Sequence, residues 1–337
     1  MITTTEDGAR WAGWCAEVGV ADVYWSWEHL SLWAPEWDAK PLGIRWTGKR
    51  DTILHPVLMV PLDRLTGGEG RFDLRTAYDF AGPLHVGPDP ARAMGLFEEE
   101  WTRQAKDLGA VTEFLRLHPR ALPTRPSWAI HHADHPMVDL IPSYEGIRNA
   151  YRGSWRWSLR KAEAEPTTVE ISASPDPGLI DSFLTMYRDT MNRRGASFEF
   201  RFRDATLRGF LALPESWLGT VRDPDGAPIA HATILASGST LFYHLSCSDP
   251  EGLSFRPNHK LLDAVVRLGK DRGFTAFHLG GGSTTLQSFK KHMGNTSVPY
   301  FVVRRVVDAE AYSAICRANG ADPSGPSFPA YMERFGG

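Results

Sequence analysis

The sequence predicts an α+β protein of two similarly ordered lobes, each a mixed, mostly antiparallel sheet flanked by helices. Three observations carry that prediction. Apolar runs of strand length recur in groups separated by Gly-, Asp- and Pro-rich turns. Amphipathic helical stretches stand between the groups. At 337 residues and 42% hydrophobic content, the chain is long enough for two domains with cores of ordinary size. We place the division at 145/146.

In the first lobe, residues 9–46 hold Trp11, Trp14, Trp25, Trp27, Trp33, Trp37 and Trp46. Tryptophan buries a large apolar body while its N–H finds a partner. The cluster is therefore read as core and lobe packing, with an aromatic substrate wall as the alternative. Ser26 is placed to cap a helix. Residues 53–60 and 71–77 read as strands around Thr66-Gly67-Gly68-Glu69-Gly70. Pro56 inside the first predicts an edge or a bulge, because proline cannot donate to a ladder. The loop from Tyr78 through Phe80 to Gly82-Pro83 is a turn or the rim of a pocket. A helix over 91–108 stops at Gly109, and a strand over 111–117 ends at His118-Pro119. Residues 123–136 read as a proline- and histidine-rich loop. His131, His132 and His135 are taken as surface residues there, since no His-Glu-x-x-His frame accompanies them, and no metal is expected. A short strand over 137–141 follows.

In the second lobe, Arg152, Arg156 and Arg160 are spaced by four residues, so a helix carries them on one face. That face is either solvated or contacts phosphate. A strand over 169–173 precedes an amphipathic helix over 178–194 that stops at Gly195. Arg193, Arg194, Arg201, Arg203 and Arg208 make residues 193–208 the densest basic stretch. Strands over 217–221 and 228–236 form a hairpin around Asp223-Pro224-Asp225-Gly226, and a third runs over 239–246. Arg256-Pro257-Asn258-His259 opens a helix with Asn258 as its N-cap. A strand over 274–279 then breaks on Gly280, Gly281 and Gly282, restarts as a helix bearing Lys290 and Lys291, and stops at Gly294. This places backbone N–H groups and ammonium groups beside one spot, an arrangement suited to an anion or a developing oxyanion. A last strand spans 299–307.

The formal net charge of −3 excludes a globally basic nucleic-acid binder and leaves room for local basic patches. Cys15, Cys247 and Cys316 are far apart and odd in number, which favours reduced, buried thiols over a disulfide or zinc framework. No apolar run approaches membrane-spanning length. The N-terminus has neither a basic start nor an apolar core, so a signal peptide is not expected and a cytoplasmic location is.

The order of elements, an antiparallel hairpin group followed by a helix crossing to a further strand, is that of a GNAT-type acyltransferase domain, and the first half is a looser version of it. Four segments also resemble the Fem-type aminoacyltransferases and related tandem-GNAT proteins, in particular their natural-product branch. These are the loop Tyr78-Asp79-Phe80-Ala81-Gly82-Pro83-Leu84, the junction Ser154-Trp155-Arg156-Trp157-Ser158-Leu159-Arg160-Lys161-Ala162, the helix start Arg256-Pro257-Asn258-His259, and the block from the triple glycine to Phe289-Lys290-Lys291-His292-Met293-Gly294. The resemblance implies transfer of an aminoacyl group from aminoacyl-tRNA to the amine or hydroxylamine of a small-molecule or peptide acceptor, with no cofactor. It places a catalytic lysine at Lys290 beside Phe289, an arginine at Arg193 or Arg194, and a tyrosine at Tyr243. Where members acting on nucleotide-linked peptidoglycan precursors carry Asp-Pro, this chain has His118-Pro119, which argues against that substrate.

On this reading Lys290, Tyr243 and His244 are the catalytic candidates, with His244 or His259 accepting the amine proton. Phe289, Arg256, Asn258, His259, the Gly281 and Gly282 amides, Tyr78 and Phe80 line the substrate. Arg193, Arg194, Arg201, Arg203, Arg156 and Arg160 meet tRNA phosphates. The alternatives are an acyl-CoA-dependent N-acyltransferase on the same fold and a non-catalytic binding protein that kept it. The first would want a Gly-rich turn of backbone amides at the helix start, where Pro257 offers no N–H.

Overall fold

A computed structural model describes residues 1–332. The chain divides into two compact units, residues 1–133 together with the chain from 299 onward, and residues 134–298.

The first unit is built on strands β1 (Ile2–Thr5), β2 (Lys40–Thr47), β3 (Thr52–Pro61), β4 (Phe72–Arg75), β5 (Leu84–Val86) and β6 (Ala110–Arg116), with helices α1 (Gly8–Glu17), α2 (Trp27–Trp33) and α3 (Pro90–Asp107). The strand order is β1-β2-β3-β4-β6, with β5 also on β3. All pairs are antiparallel except β4 and β6, which run parallel across the α3 connection. Ser26 does cap α2, accepting from the His29 N–H at 3.1 Å. Most of these tryptophans are core, with Trp27 and Trp37 half-buried: Trp11, Trp25 and Trp33 are fully buried, and their indole N–H groups donate to Trp25 O, Gly82 O and His29 Nε2.

Pro56 is not at an edge. It sits in the middle of β3, opposite Gly43, between the residues that pair with β5 (Thr52–Leu54) and those that pair with β4 (Leu58–Pro61). The missing N–H falls in the gap between two partners, so the ladder loses nothing.

The second unit uses the end of β7 (Ala129–Asp139). It continues through α4 (Tyr144–Ala150), α5 (Gly153–Ala164), β8 (Thr168–Ser172), α6 (Pro177–Arg193), α7 (Asp204–Leu211), β9 (Ser216–Arg222), β10 (Pro228–Ser237), β11 (Thr240–Ser248), α8 (Pro257–Asp271), β12 (Ala276–His278) and α9 (Thr284–Met293). The strand order is β7-β12-β11-β10-β9-β8. Only β11 and β12 are parallel, joined by the crossing helix α8. Residues 129–136, expected as loop, are strand, and the expected strand over 137–141 is its end.

Each unit thus repeats one design: an antiparallel group, a helix crossing to a parallel neighbour, and one antiparallel strand beyond. In the second unit that last strand is β7. In the first it is β13 (Thr296–Val306), which pairs antiparallel with β6 and is followed by α10 (Ala309–Ala318). The division expected at 145/146 therefore differs from the observed one at both ends of the second unit, because β7 and β13 each carry the chain from one unit to the other.

A buried ion pair joins the returning strand to β6. Glu113 of β6 is fully buried and accepts from Arg305 Nε of β13 at 2.9 Å and from Trp101 Nε1 at 3.0 Å, with His55 Nε2 at 3.3 Å. Burial alone would raise its carboxyl. The Arg305 guanidinium and His55 outweigh burial and hold it at about 2.

Candidate active site

The glycine break lies at the end of the parallel β11–β12 pair. Gly280 and Gly282 have φ of +71° and +132°, which side-chain-bearing residues rarely adopt. A Cβ on Gly280 would stand 3.3 Å from Tyr243 O and 3.6 Å from Lys290 Nζ, so the chain passes close to both. Ser283 then caps α9, accepting from Leu286 N–H at 3.4 Å. Leu286, Lys290 and Met293 recur at helical spacing on one face. Lys290 is buried at 4% exposure, whereas Lys291 is exposed. Lys290 Nζ donates to Gly281 O at 2.6 Å and lies 5.0 Å from the centroid of the Tyr243 ring. Burial pushes the Tyr243 phenol up to about 12, so at neutral pH it is an O–H donor. The helix stops at Gly294 as expected, but its φ is −61° rather than left-handed. A Cβ there would come within 3.1 Å of Pro136, so close approach is what calls for glycine.

The glycine peptides are turned differently from expectation. The Gly281 carbonyl, not an amide, faces the lysine, and Gly282 O accepts from Gln287 Nε2 at 3.4 Å. His135, taken from the sequence as a surface loop residue, is buried on β7 against this turn. A Cβ on Gly281 would stand 2.9 Å from His135 Nε2. The His135 and His278 rings lie 5.2 Å apart, and His278 Nδ1 accepts from the Gly280 N–H at 3.2 Å. The two imidazoles brace the peptides that hold Lys290. Gly281→Ala is expected to displace the turn and slow any reaction that depends on Lys290 by about 10- to 100-fold, measured as the single-turnover rate, with the thermal midpoint little changed. An unaltered rate would remove the turn from the site.

Beside the lysine, α5, α8 and α9 close an aromatic box. The Trp155 ring is 4.4 Å from His259 and 4.5 Å from Phe289, and His259 and Phe289 are 5.1 Å apart. Trp155 was missed from sequence; its signal is the inward helical spacing with Leu159 and Ala162. Burial, and then the Arg256 guanidinium, lower His259 to about 4, so it stays neutral and is a weak base at pH 7. Asn258 is not the N-cap of α8. Arg256 holds that place in a left-handed conformation, φ +54°, with Pro257 at the first helical position. Asn258 lies in the first turn and bonds Ser248 Oγ at 3.0 Å.

Of the other expected residues, Arg194 stands near enough to Tyr243 to act on its phenol. His244 alternates with Tyr243 on β11, so it projects to the other face, where its ring stacks on Phe210 of α7 at 4.3 Å. Tyr78 and Phe80 belong to the first unit. Phe80 is buried against Tyr24 and Tyr300, and Tyr78 lies 5.0 Å from Trp33. His118, in the same unit, is held down at about 3 by burial and Arg120. Arg193 donates to Ser248 O at 2.9 Å, Arg201 to Asn192 Oδ1 at 2.6 Å, and Arg156 to Asn149 O at 2.6 Å. Arg194, Arg203 and Arg160 are exposed. Cys247 is buried on β11 and burial raises its thiol, which removes it as a nucleophile near neutral pH. A cleft of ≈ 510 Å³ opens between α6 and the end of β11, lined by Asp181, Ser182, Asp189, Arg193, Ser248 and Asp249. It contains neither Lys290 nor the aromatic box, and the chemistry of the lysine site carries more weight than its size. Among the described residues no group of three His, Cys, Asp or Glu side chains is arranged to hold a metal ion, and no helix is long and apolar enough to cross a membrane.

Residues 149–291 match the family model described as an acetyltransferase (GNAT) domain. The second unit is an acyltransferase domain of the GNAT fold. Three solved structures share the fold over most of both chains. FemX aligns at 13% identity and TM-score 0.61, covering 86% of this chain and 94% of that one. L-PGS from Bacillus licheniformis aligns at 14% and 0.54, covering 92% and 95%. The C-terminal domain of a putative lysylphosphatidylglycerol synthetase from Agrobacterium fabrum aligns at 15% and 0.54, covering 93% and 96%. No curated protein matches the chain.

Proposed function

We propose that the protein transfers an aminoacyl group from aminoacyl-tRNA to the amine or hydroxylamine of a small-molecule or peptide acceptor, in natural-product or peptidoglycan-related biosynthesis. The observation that carries this reading is the buried Lys290, held by Gly281 O and the Tyr243 ring at the end of the parallel strand pair. An aminoacyl ester is already activated, so the reaction needs orientation and charge stabilisation rather than a covalent enzyme intermediate. The acceptor nitrogen attacks the ester carbonyl carbon and a C–N bond forms. The carbonyl oxygen becomes an oxyanion, and Lys290 supplies positive charge where water is largely excluded. The C–O bond to the ribose then breaks. The proton lost by the amine is regained by the ribose oxygen, so the step balances without an external acid or base. His135 and His278 act as positioning residues through the glycine peptides. FemX and L-PGS share the fold across the chain, which supports the reading without naming the acceptor.

Bulk tRNA charged with radiolabelled amino acids, incubated with the protein and a panel of amines, tests it. Label is expected in a new amide, with uncharged tRNA released. Label that leaves the tRNA only as free amino acid, at the rate seen without protein, would overturn it.

A further inference from the structure

Trp157 stands out from the other tryptophans. Of the 12 in the chain it is the exposed one, at 50%. Helical spacing explains why: Trp155, Leu159 and Ala162 turn inward on α5, and Trp157 lies two residues from Trp155, on the outer side. The Arg256 guanidinium lies 5.2 Å from its ring centroid and Lys161 Nζ lies 5.9 Å from it. Neither closes down on the ring as Arg75 does on Trp37 at 3.4 Å, or Arg305 on Trp128 at 3.9 Å. The aromatic surface is open with cations at its margins. Arg152, Arg156 and Arg160 continue the positive charge along the exposed side of the same helix. Arg256 is held there by a conformation that costs free energy for a residue other than glycine. Its N–H donates to Leu253 O at 3.0 Å and its Nη1 to Ser254 O at 3.2 Å. A bare indole ringed by ammonium and guanidinium groups suits neither a lipid tail nor an apolar protein face. It suits a base whose phosphates lie alongside.

We propose that Trp157 is a stacking platform for the 3′-terminal base of the donor RNA, with Arg256 and Lys161 meeting the flanking phosphates. The proposal rests on the reading of the donor as aminoacyl-tRNA. The test is anisotropy binding of a labelled acceptor-stem RNA hairpin ending in CCA, and of the same hairpin lacking its terminal adenosine, to wild type, Trp157→Ala and Trp157→Phe. Wild type is expected to prefer the complete end by about fivefold or more. Trp157→Ala loses that preference and binds both hairpins alike, while Trp157→Phe keeps most of it. Wild-type binding with the preference intact in Trp157→Ala overturns the platform alone. No binding of either hairpin to wild type overturns the donor reading as well. Displacement of the hairpin by coenzyme A from wild type but not from Trp157→Ala would assign the ring to a CoA adenine and overturn the RNA assignment.

Discussion

Lys290→Met is expected to lower the transfer rate at saturating substrates by roughly 10²–10³-fold, the usual effect of removing one group that stabilises an oxyanion. Methionine fills the slot left by the lysine stem, so the fold is expected to persist. Donor affinity is expected to change less than the rate, because in the proposed mechanism the lysine acts on charge that develops during the reaction. Lys290→Arg is not expected to rescue. The ammonium sits beside Gly281 O in a site at 4% exposure, and a planar guanidinium needs more room there. Turnover unchanged in Lys290→Met, measured with folded protein, would remove the lysine from the chemistry.

Arg305→Met is expected to cost about 3–5 kcal/mol of stability, the range for removing one partner of a buried ion pair. Glu113 would be left charged, fully buried and short of its cation. The sign of the pH dependence follows. In the wild type the carboxyl titrates near 2, below its ordinary 4.5. Its contribution to stability is therefore present above 4.5 and lost as pH falls through about 2. Without Arg305, burial dominates and raises the carboxyl, so the deficit of the variant grows as pH rises and shrinks toward acid. Adding Glu113→Gln to Arg305→Met is expected to recover part of the loss. Chemical denaturation of wild type, the single variant and the double variant across pH measures this. A small, pH-independent change in Arg305→Met would mean that β13 is held to β6 by its ladder alone.

The same pair shows where sequence reading stops. Strands and amphipathic helices announce themselves locally: the helix over 178–194 and the hairpin at Asp223-Gly226 are observed within a residue or two of expectation. The pair that joins β13 to β6, Glu113 and Arg305, is far apart in the chain, and no local pattern links the two residues. Likewise Lys290 follows from a strand, a glycine break and a helix, all within one segment. His135 does not, because its place beside Gly281 comes from the β7–β12 pairing. The available clue was the apolar run after Pro136, which marks where β7 enters a core. His244 was misjudged for the opposite reason. Proximity to Tyr243 in sequence places it on the other face of a strand. The Gly281 carbonyl could not be told from an amide without its dihedral angles.

The most direct test mixes equal concentrations of charged tRNA and acetyl-CoA with one amine pool and wild-type or Lys290→Met protein, and reads the mass of the amide formed. An added aminoacyl mass, dependent on Lys290, is the predicted result. An added acetyl mass, or an aminoacyl product made equally well by Lys290→Met, would contradict it.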